Sequence, residues 1–209
     1  MMFDGQTLVG MLDALASSAP TPGGGGASAV GGALAAALGE MVANLTTGKK
    51  RYADVQERID EIIAELGALR TRLLELVAAD AAAFEPLSRA YGMPRATEQE
   101  RALKDEVMEG ALRVASVPPY KIMEAIVEVI DLLEELARIG TRIAVSDAGV
   151  GAAFAAAALK GASLNVFINA KSMKDREYAG DLCARTQALL DEGCKKADDT
   201  FQMVMEAIR

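Results

Sequence analysis

A chain of 209 residues is long enough to bury a substantial core and short enough to form one domain. Its 30 acidic residues outnumber 22 basic ones, for a net charge of −8, which leaves no general basic face for nucleic-acid phosphates. It contains no histidine, so histidine triads, histidine metal sites and histidine proton shuttles are excluded.

Half of the residues are hydrophobic, yet only 4% are aromatic and none is tryptophan. That mixture favours helices packed through small side chains over a β-rich core. Cys183 and Cys194 are too few for a disulfide scaffold or a zinc site, and point to a reduced, cytoplasmic setting. No metal site is expected. The start, Met1 to Gly5, lacks a basic stretch followed by an apolar run, so no signal peptide is expected.

In chain order, residues from about Asp4 to Ala16 form a short amphipathic helix carrying Leu8, Met11, Leu12 and Leu15 on one side. Pro20-Thr21-Pro22-Gly23-Gly24-Gly25-Gly26 ends it. The prolines cannot continue a helix, and the glycines leave backbone free to approach another group closely. A second helix, about Gly26 to Thr46, is apolar on nearly every side and reads as buried. Its approach to membrane-spanning length is interrupted by Glu40, and its Ala and Gly are weakly hydrophobic, so a core helix is expected and no membrane span. The glycine turn therefore stands at a helix N-terminus, where free N–H groups and the helix dipole suit an anion. A tight structural linker would use the same residues.

Gly48-Lys49-Lys50-Arg51-Tyr52 concentrates three cations in an acidic chain. They form either a solvated helix end or a docking point for an anionic substrate. A long helix follows, about Asp54 to Ala90, with Ile59, Ile62, Leu66, Leu69, Leu73, Leu76 and Val77 at three- and four-residue steps. Asp80 falls on that apolar seam, ahead of Phe84 and Leu87. Burial raises a carboxylate's pKa unless donors compensate, which makes Asp80 an acid–base candidate. The alternative is a structural aspartate bonded to backbone or to a lysine.

A helix over about Glu98 to Ser116, a break at Val117-Pro118-Pro119, and another helix over about Tyr120 to Arg138 come next. Ser146-Asp147-Ala148-Gly149-Val150-Gly151 opens a second all-apolar helix reaching Leu159 or beyond, with Ser146 or Asp147 suited to cap it. Asn165 and Asn169 lie one turn apart, able to read a heterocycle edge or to tie helices together. Lys171, Lys174 and a last helix over about Asp175 to Arg209 complete the chain. No strand-like alternation survives. The expected fold is all-α: one helical-bundle domain over 1–209, with about seven or eight helices around two buried Ala/Gly-rich ones.

The ordered set of Ala19-Pro20-Thr21-Pro22-Gly23-Gly24-Gly25, Met41-Val42-Ala43-Asn44-Leu45-Thr46, Gly48-Lys49-Lys50-Arg51-Tyr52, Asp80-Ala81-Ala82-Ala83-Phe84, Val117-Pro118, Ser146-Asp147-Ala148-Gly149-Val150 and Asn165-Val166-Phe167-Ile168-Asn169 resembles the cyclodeaminase/cyclohydrolase domain of the formiminotransferase-cyclodeaminase family. The resemblance covers nearly the whole chain without a formiminotransferase domain. The chain departs from the family pattern at Gly26, where a serine commonly stands, and at Gly140-Thr141-Arg142, where an asparagine is common.

The resemblance implies an all-helical homodimer acting on tetrahydrofolate derivatives, with no cofactor beyond that substrate. It implies either hydrolysis of 5,10-methenyltetrahydrofolate to the 10-formyl compound or cyclisation of 5-formiminotetrahydrofolate with release of ammonia. Hydrolysis is favoured here because no transferase is fused to supply the formimino compound. Asp80 matches the family's proposed acid–base aspartate, with Lys49 as an opposing charge or proton carrier. Pro22, Gly23, Gly24 and Gly25 would let the flat rings lie on backbone; Tyr52, Asp147, Asn165 and Asn169 are further substrate contacts. Lys50, Arg51, Lys171 and Lys174 would receive the glutamate carboxylates. Two other readings use the same residues: a non-catalytic helical ligand-binding module, and a nucleotide binder. The second is weakened by the lack of a Gly-Lys-Ser/Thr ending or a preceding strand.

Overall fold

Small residues along two central helices let their neighbours approach closely, and this sets the architecture. The computed structural model describes residues 7–209. Six α-helices follow in order: α1 (Leu8–Leu15), α2 (Gly24–Thr46), α3 (Gln56–Tyr91), α4 (Glu98–Ile139), α5 (Val145–Ser172) and α6 (Arg176–Ile208). Short 3-10 segments at Lys50–Val55 and Arg142–Ala144 join α2 to α3 and α4 to α5. The described residues contain no strand, as expected. The part of the first helix expected before residue 7 lies outside the described residues.

Six helices replace the expected seven or eight. Helix α4 runs unbroken through Pro118 and Pro119, where a break was expected. A proline inside a helix leaves the carbonyl four residues back without its donor. For Pro119 that carbonyl is Ala115, and the side chain of Asn169 on α5 donates to it at 3.1 Å. A neighbouring helix thus supplies the bond the proline removes. The start of α4 is secured by a capping box, in which Thr97 and Glu100 exchange side-chain and backbone bonds.

Helices α2 and α5 lie side by side and antiparallel. A side chain at Gly31 would meet Ala158, one at Gly161 would meet Ser28, and one at Gly151 would meet the Ala35 carbonyl. Helix α3 flanks α2, α6 flanks α5, and α4 packs behind both. Gly32 is one position where this packing demands glycine: a β-carbon there would sit 2.8 Å from Ile126 and 3.2 Å from Leu73.

The expectation that α2 and α5 are buried on all sides is corrected. Their inner faces are core, but their outer faces are open in the single chain. Leu34 and Met41 of α2 are each 47% exposed, and Phe154 of α5 is 46% exposed. Both helices are long and apolar enough to cross a membrane by length and composition, with 56% and 50% of those stretches buried inside the protein.

Leu133 is fully buried, and its side chain fills the space over Gly39 and Gly151, so it joins α2, α4 and α5. Leu133→Ala is expected to lower the unfolding free energy by about 2–5 kcal/mol, read from chemical denaturation.

Candidate active site

Helix α2 begins at Gly24, two residues earlier than the sequence suggests, so Gly24, Gly25 and Gly26 form its first turn. Its N-cap, Gly23, has no side chain to satisfy the free N–H groups. Asp80, delivered from α3, sets its carboxylate over that turn, where the Gly26 N–H favours the charged form. Gly25 makes the approach possible. A β-carbon on Gly25 would lie 2.5 Å from both Asp80 carboxylate oxygens, closer than any side chain tolerates.

Asp80 is half-buried. Burial raises its pKa above the ordinary carboxylate range, and the Gly26 N–H offsets this only in part. A cavity of about 120 Å³ opens in front of it, lined by Pro20, Thr21, Gly23, Gly24, Gly25, Asp80, Phe84, Ala115, Asn165, Ile168 and Asn169. Among the described residues, Asp80 is the one charged group in that lining. Ligand sites for drug-sized molecules enclose roughly 300–1,000 Å³. This hollow therefore accepts the reacting part of a large molecule and leaves the remainder outside.

The two asparagines are held by their helices. Asn165 donates to the Gly161 carbonyl at 2.9 Å, and Asn169 to the Ala115 carbonyl at 3.1 Å. Each amide keeps a second N–H and its oxygen for a ligand. Phe84 stands one helical turn beyond Asp80, and Ile168 adjoins Asn169, so apolar surface flanks the amides.

Six of the sequence-derived residues thus converge: Gly23, Gly24, Gly25, Asp80, Asn165 and Asn169. Pro22 packs behind the turn, with its Cβ 3.4 Å from where a Gly26 β-carbon would lie, and does not line the cavity. Lys171 is exposed on the last turn of α5, near the cavity end but outside its lining. Lys174 is turned away into an ion pair with Asp105. Pro20, Thr21, Phe84, Ile168 and Ala115 line the cavity but are not among the expected site residues. The four-residue step from Asp80 to Phe84 and the step from Asn165 to Ile168 were the available signals; Ala115 offered none.

The pairing of Lys49 with Asp80 is corrected. Lys49 follows the C-terminus of α2 and Asp80 sits at its N-terminus. The intervening 23 residues, at about 1.5 Å each, separate them by about 35 Å. Lys49 donates instead to Thr141 Oγ1 at 3.1 Å, and the Tyr52 hydroxyl accepts the Arg142 N–H at 3.2 Å. Lys50 and Arg51 are exposed at that same far end. Asp147 is also there, half-buried in the first turn of α5, where it complements the dipole. It does not cap the helix: the N-cap is Ala144, with no side-chain bond.

A larger hollow between α3 and α4, about 520 Å³, is lined by charges that satisfy one another. Arg58 pairs with Glu135 at 2.8 Å and Arg72 with Glu128 at 3.1 Å. Nothing there is left to meet a substrate.

A sequence model of the formiminotransferase-cyclodeaminase family matches residues 7–188. This chain belongs to that family. It is 42% identical over 207 residues to methenyltetrahydrofolate cyclohydrolase of Methylorubrum extorquens, covering 99% of this chain and all of that one. It is 31% identical over 191 residues to formimidoyltransferase-cyclodeaminase of Mus musculus, and there it spans 35% of the longer protein. Its fold matches a crystal structure of formiminotetrahydrofolate cyclodeaminase from Thermotoga maritima, with a TM-score of 0.81, 30% identity, and 97% and 96% of the two chains covered.

The raised pKa of Asp80 has a consequence for stability. The folded chain holds this proton more tightly than the unfolded chain, so stability falls as pH rises from the ordinary carboxylate pKa through the folded one. Asp80→Asn removes that cost while keeping an oxygen for the Gly26 N–H. The variant is expected to melt at a higher temperature than the parent at pH 7, with the gain vanishing as pH falls below 4. Paired thermal melts across pH test this.

Proposed function

We propose that this family member is a methenyltetrahydrofolate cyclohydrolase, adding water to 5,10-methenyltetrahydrofolate to give 10-formyltetrahydrofolate. The observation that carries the reading is the single carboxylate, Asp80, held above its ordinary pKa on the bare first turn of α2. The full-length likeness to a protein of that name supports it.

The methenyl carbon between N5 and N10 is cationic and electrophilic. Ionised Asp80 takes a proton from water as the oxygen bonds to that carbon, giving a tetrahedral adduct. The bond from carbon to N5 then breaks. Asp80 returns its proton to N5, the adduct hydroxyl loses its proton to solvent, and the formyl group remains on N10. A group that must accept and then donate works best with a pKa near the working pH, which burial favours. Asn165 and Asn169 read the polar edge of the ring system, while Phe84 and Ile168 support its flat face. The rest of the folate extends beyond the small cavity, and Lys171 is positioned to meet its glutamate carboxylate. No cofactor other than the folate takes part in this scheme.

Cyclodeamination is the second reading, favoured by the Thermotoga maritima likeness. It passes through a tetrahedral adduct at the same carbon, with ammonia leaving. The protein is further proposed to act as a homodimer in the cytoplasm; the free thiols of Cys183 and Cys194 suit a reducing compartment.

Loss of methenyl absorbance on adding the purified chain tests the reading, with ammonia release from the formimino substrate assayed alongside. Acceleration of neither reaction would overturn it. Asp80→Asn is expected to abolish turnover while the circular dichroism spectrum is retained. Gly25→Ala displaces the carboxylate without removing it, and is expected to lower kcat/KM by about 100-fold. For the parent, kcat/KM should rise with pH along an acidic limb centred above the usual carboxylate range.

A further inference from the structure

Pro118 and Pro119 each leave a carbonyl of α4 without its helical donor: Val114 for the first, Ala115 for the second. Val114 is exposed, so water can serve its carbonyl. Ala115 is buried, lines the Asp80 cavity, and receives the Asn169 side chain at 3.1 Å. A buried carbonyl without a donor is costly, so the fold resists losing this bond. Asn165 is held less firmly. Its Nδ2 donates at 2.9 Å to the Gly161 carbonyl, which also serves the backbone ladder of α5.

The bond to Ala115 fixes which way round the Asn169 amide lies. A carbonyl only accepts, so the atom facing it is the nitrogen, and a half-turn of the amide would set oxygen against oxygen. Asn169 also lines the cavity. It therefore meets a ligand with its oxygen and its remaining N–H on settled sides. An amide free to turn pairs with a donor or an acceptor at the same place; a pinned one does not. The distinction matters for the ring edge of a folate. With a 4-oxo group, the ring carries N3–H as a donor beside an acceptor oxygen. With a 4-amino group, N3 becomes the acceptor and the substituent the donor. The two edges have nearly the same shape and opposite hydrogen-bonding order.

We propose that Pro119 is a positioning residue that acts through Ala115 to orient Asn169, and that the oriented amide selects 4-oxo over 4-amino pteridines. The proposal rests on the folate reading of the cavity. Pro119 is buried in α4 and does not line the cavity, so its effect on a ligand passes through the carbonyl it frees. The wrong edge would set like groups against each other in a half-buried place, which discriminates more strongly than shape does.

Two measurements on the full chain test this. In the first, the Asn169 side-chain N–H signals are assigned in a nitrogen-15 spectrum by their loss in Asn169→Ala, and their exchange with solvent is followed. Pro119→Ala lets a backbone N–H again reach the Ala115 carbonyl, and is expected to speed that exchange by about 10-fold. Pro118→Ala restores a donor to Val114 alone and is expected to match the parent. Equal exchange in the parent and Pro119→Ala overturns the proposal. The second measures, by calorimetry, the binding of 10-methylfolic acid and of its 4-amino counterpart, which differ only at the ring edge in question. The parent and Pro118→Ala are expected to bind the 4-oxo compound about 10-fold more tightly, and Pro119→Ala to lose most of that preference. A parent without the preference, or Pro119→Ala with all of it, overturns the proposal. Should Pro119→Ala fail to fold, Asn169→Asp replaces it, since a carboxylate cannot donate to Ala115; a full preference kept there overturns the proposal likewise. Neither readout needs turnover. A parent that shows the preference but hydrolyses no folate fails the reaction assignment and leaves the proposal standing. Binding of neither compound sinks the folate reading and the selection with it, whereas the exchange data alone decide whether Pro119 orients Asn169.

Discussion

The approach of a carboxylate to a helix end that has no side chains is the constraint on which the rest of this structure depends. Asp80 comes from the middle of a long helix, and Gly25 is the reason it can reach the N-terminus of α2. A free N–H at a helix end is costly to leave unpaired in a buried place, and so is a buried carboxylate. Each answers the other's need. The Gly26 N–H offsets the burial of the carboxylate only in part, so Asp80 keeps its raised proton affinity. Stability and reactivity therefore pull against each other at a single residue.

The wall opposite Asp80 is built by another local irregularity. Pro119 strips the Ala115 carbonyl of its helical donor, and Asn169 takes that place. The bond joins α4 to α5 and fixes the amide at the cavity mouth. A defect in one helix thus becomes the anchor of a polar side chain in the next, and α4 stays continuous across two prolines.

Much of the site was legible in the sequence because of its periodicity. A carboxylate on an apolar helical seam and four consecutive glycines before an apolar helix are both local patterns, and they point to Asp80 and Gly23 to Gly25 as candidates. Asn165 and Asn169 followed from one-turn spacing. Ala115 carried no such mark, since its importance lies in a carbonyl freed by a proline four residues later and filled from another helix. The Lys49 cluster stands out in an acidic sequence, but a run of charges contains no information about which end of a neighbouring helix it faces.

The sequence by itself determined the all-helical class, the two Ala/Gly-rich central helices and the acid at position 80, because helix periodicity, side-chain size and charge are properties of nearby residues. Only the tertiary structure decided that α4 survives its prolines, that Asp147 caps nothing, that the outer face of α2 and α5 is left open within one chain, and that Lys49 and Asp80 stand at opposite ends of one helix. Those outcomes depend on which helices meet and in which direction. That is set by contacts between residues far apart in the chain, which no local pattern encodes.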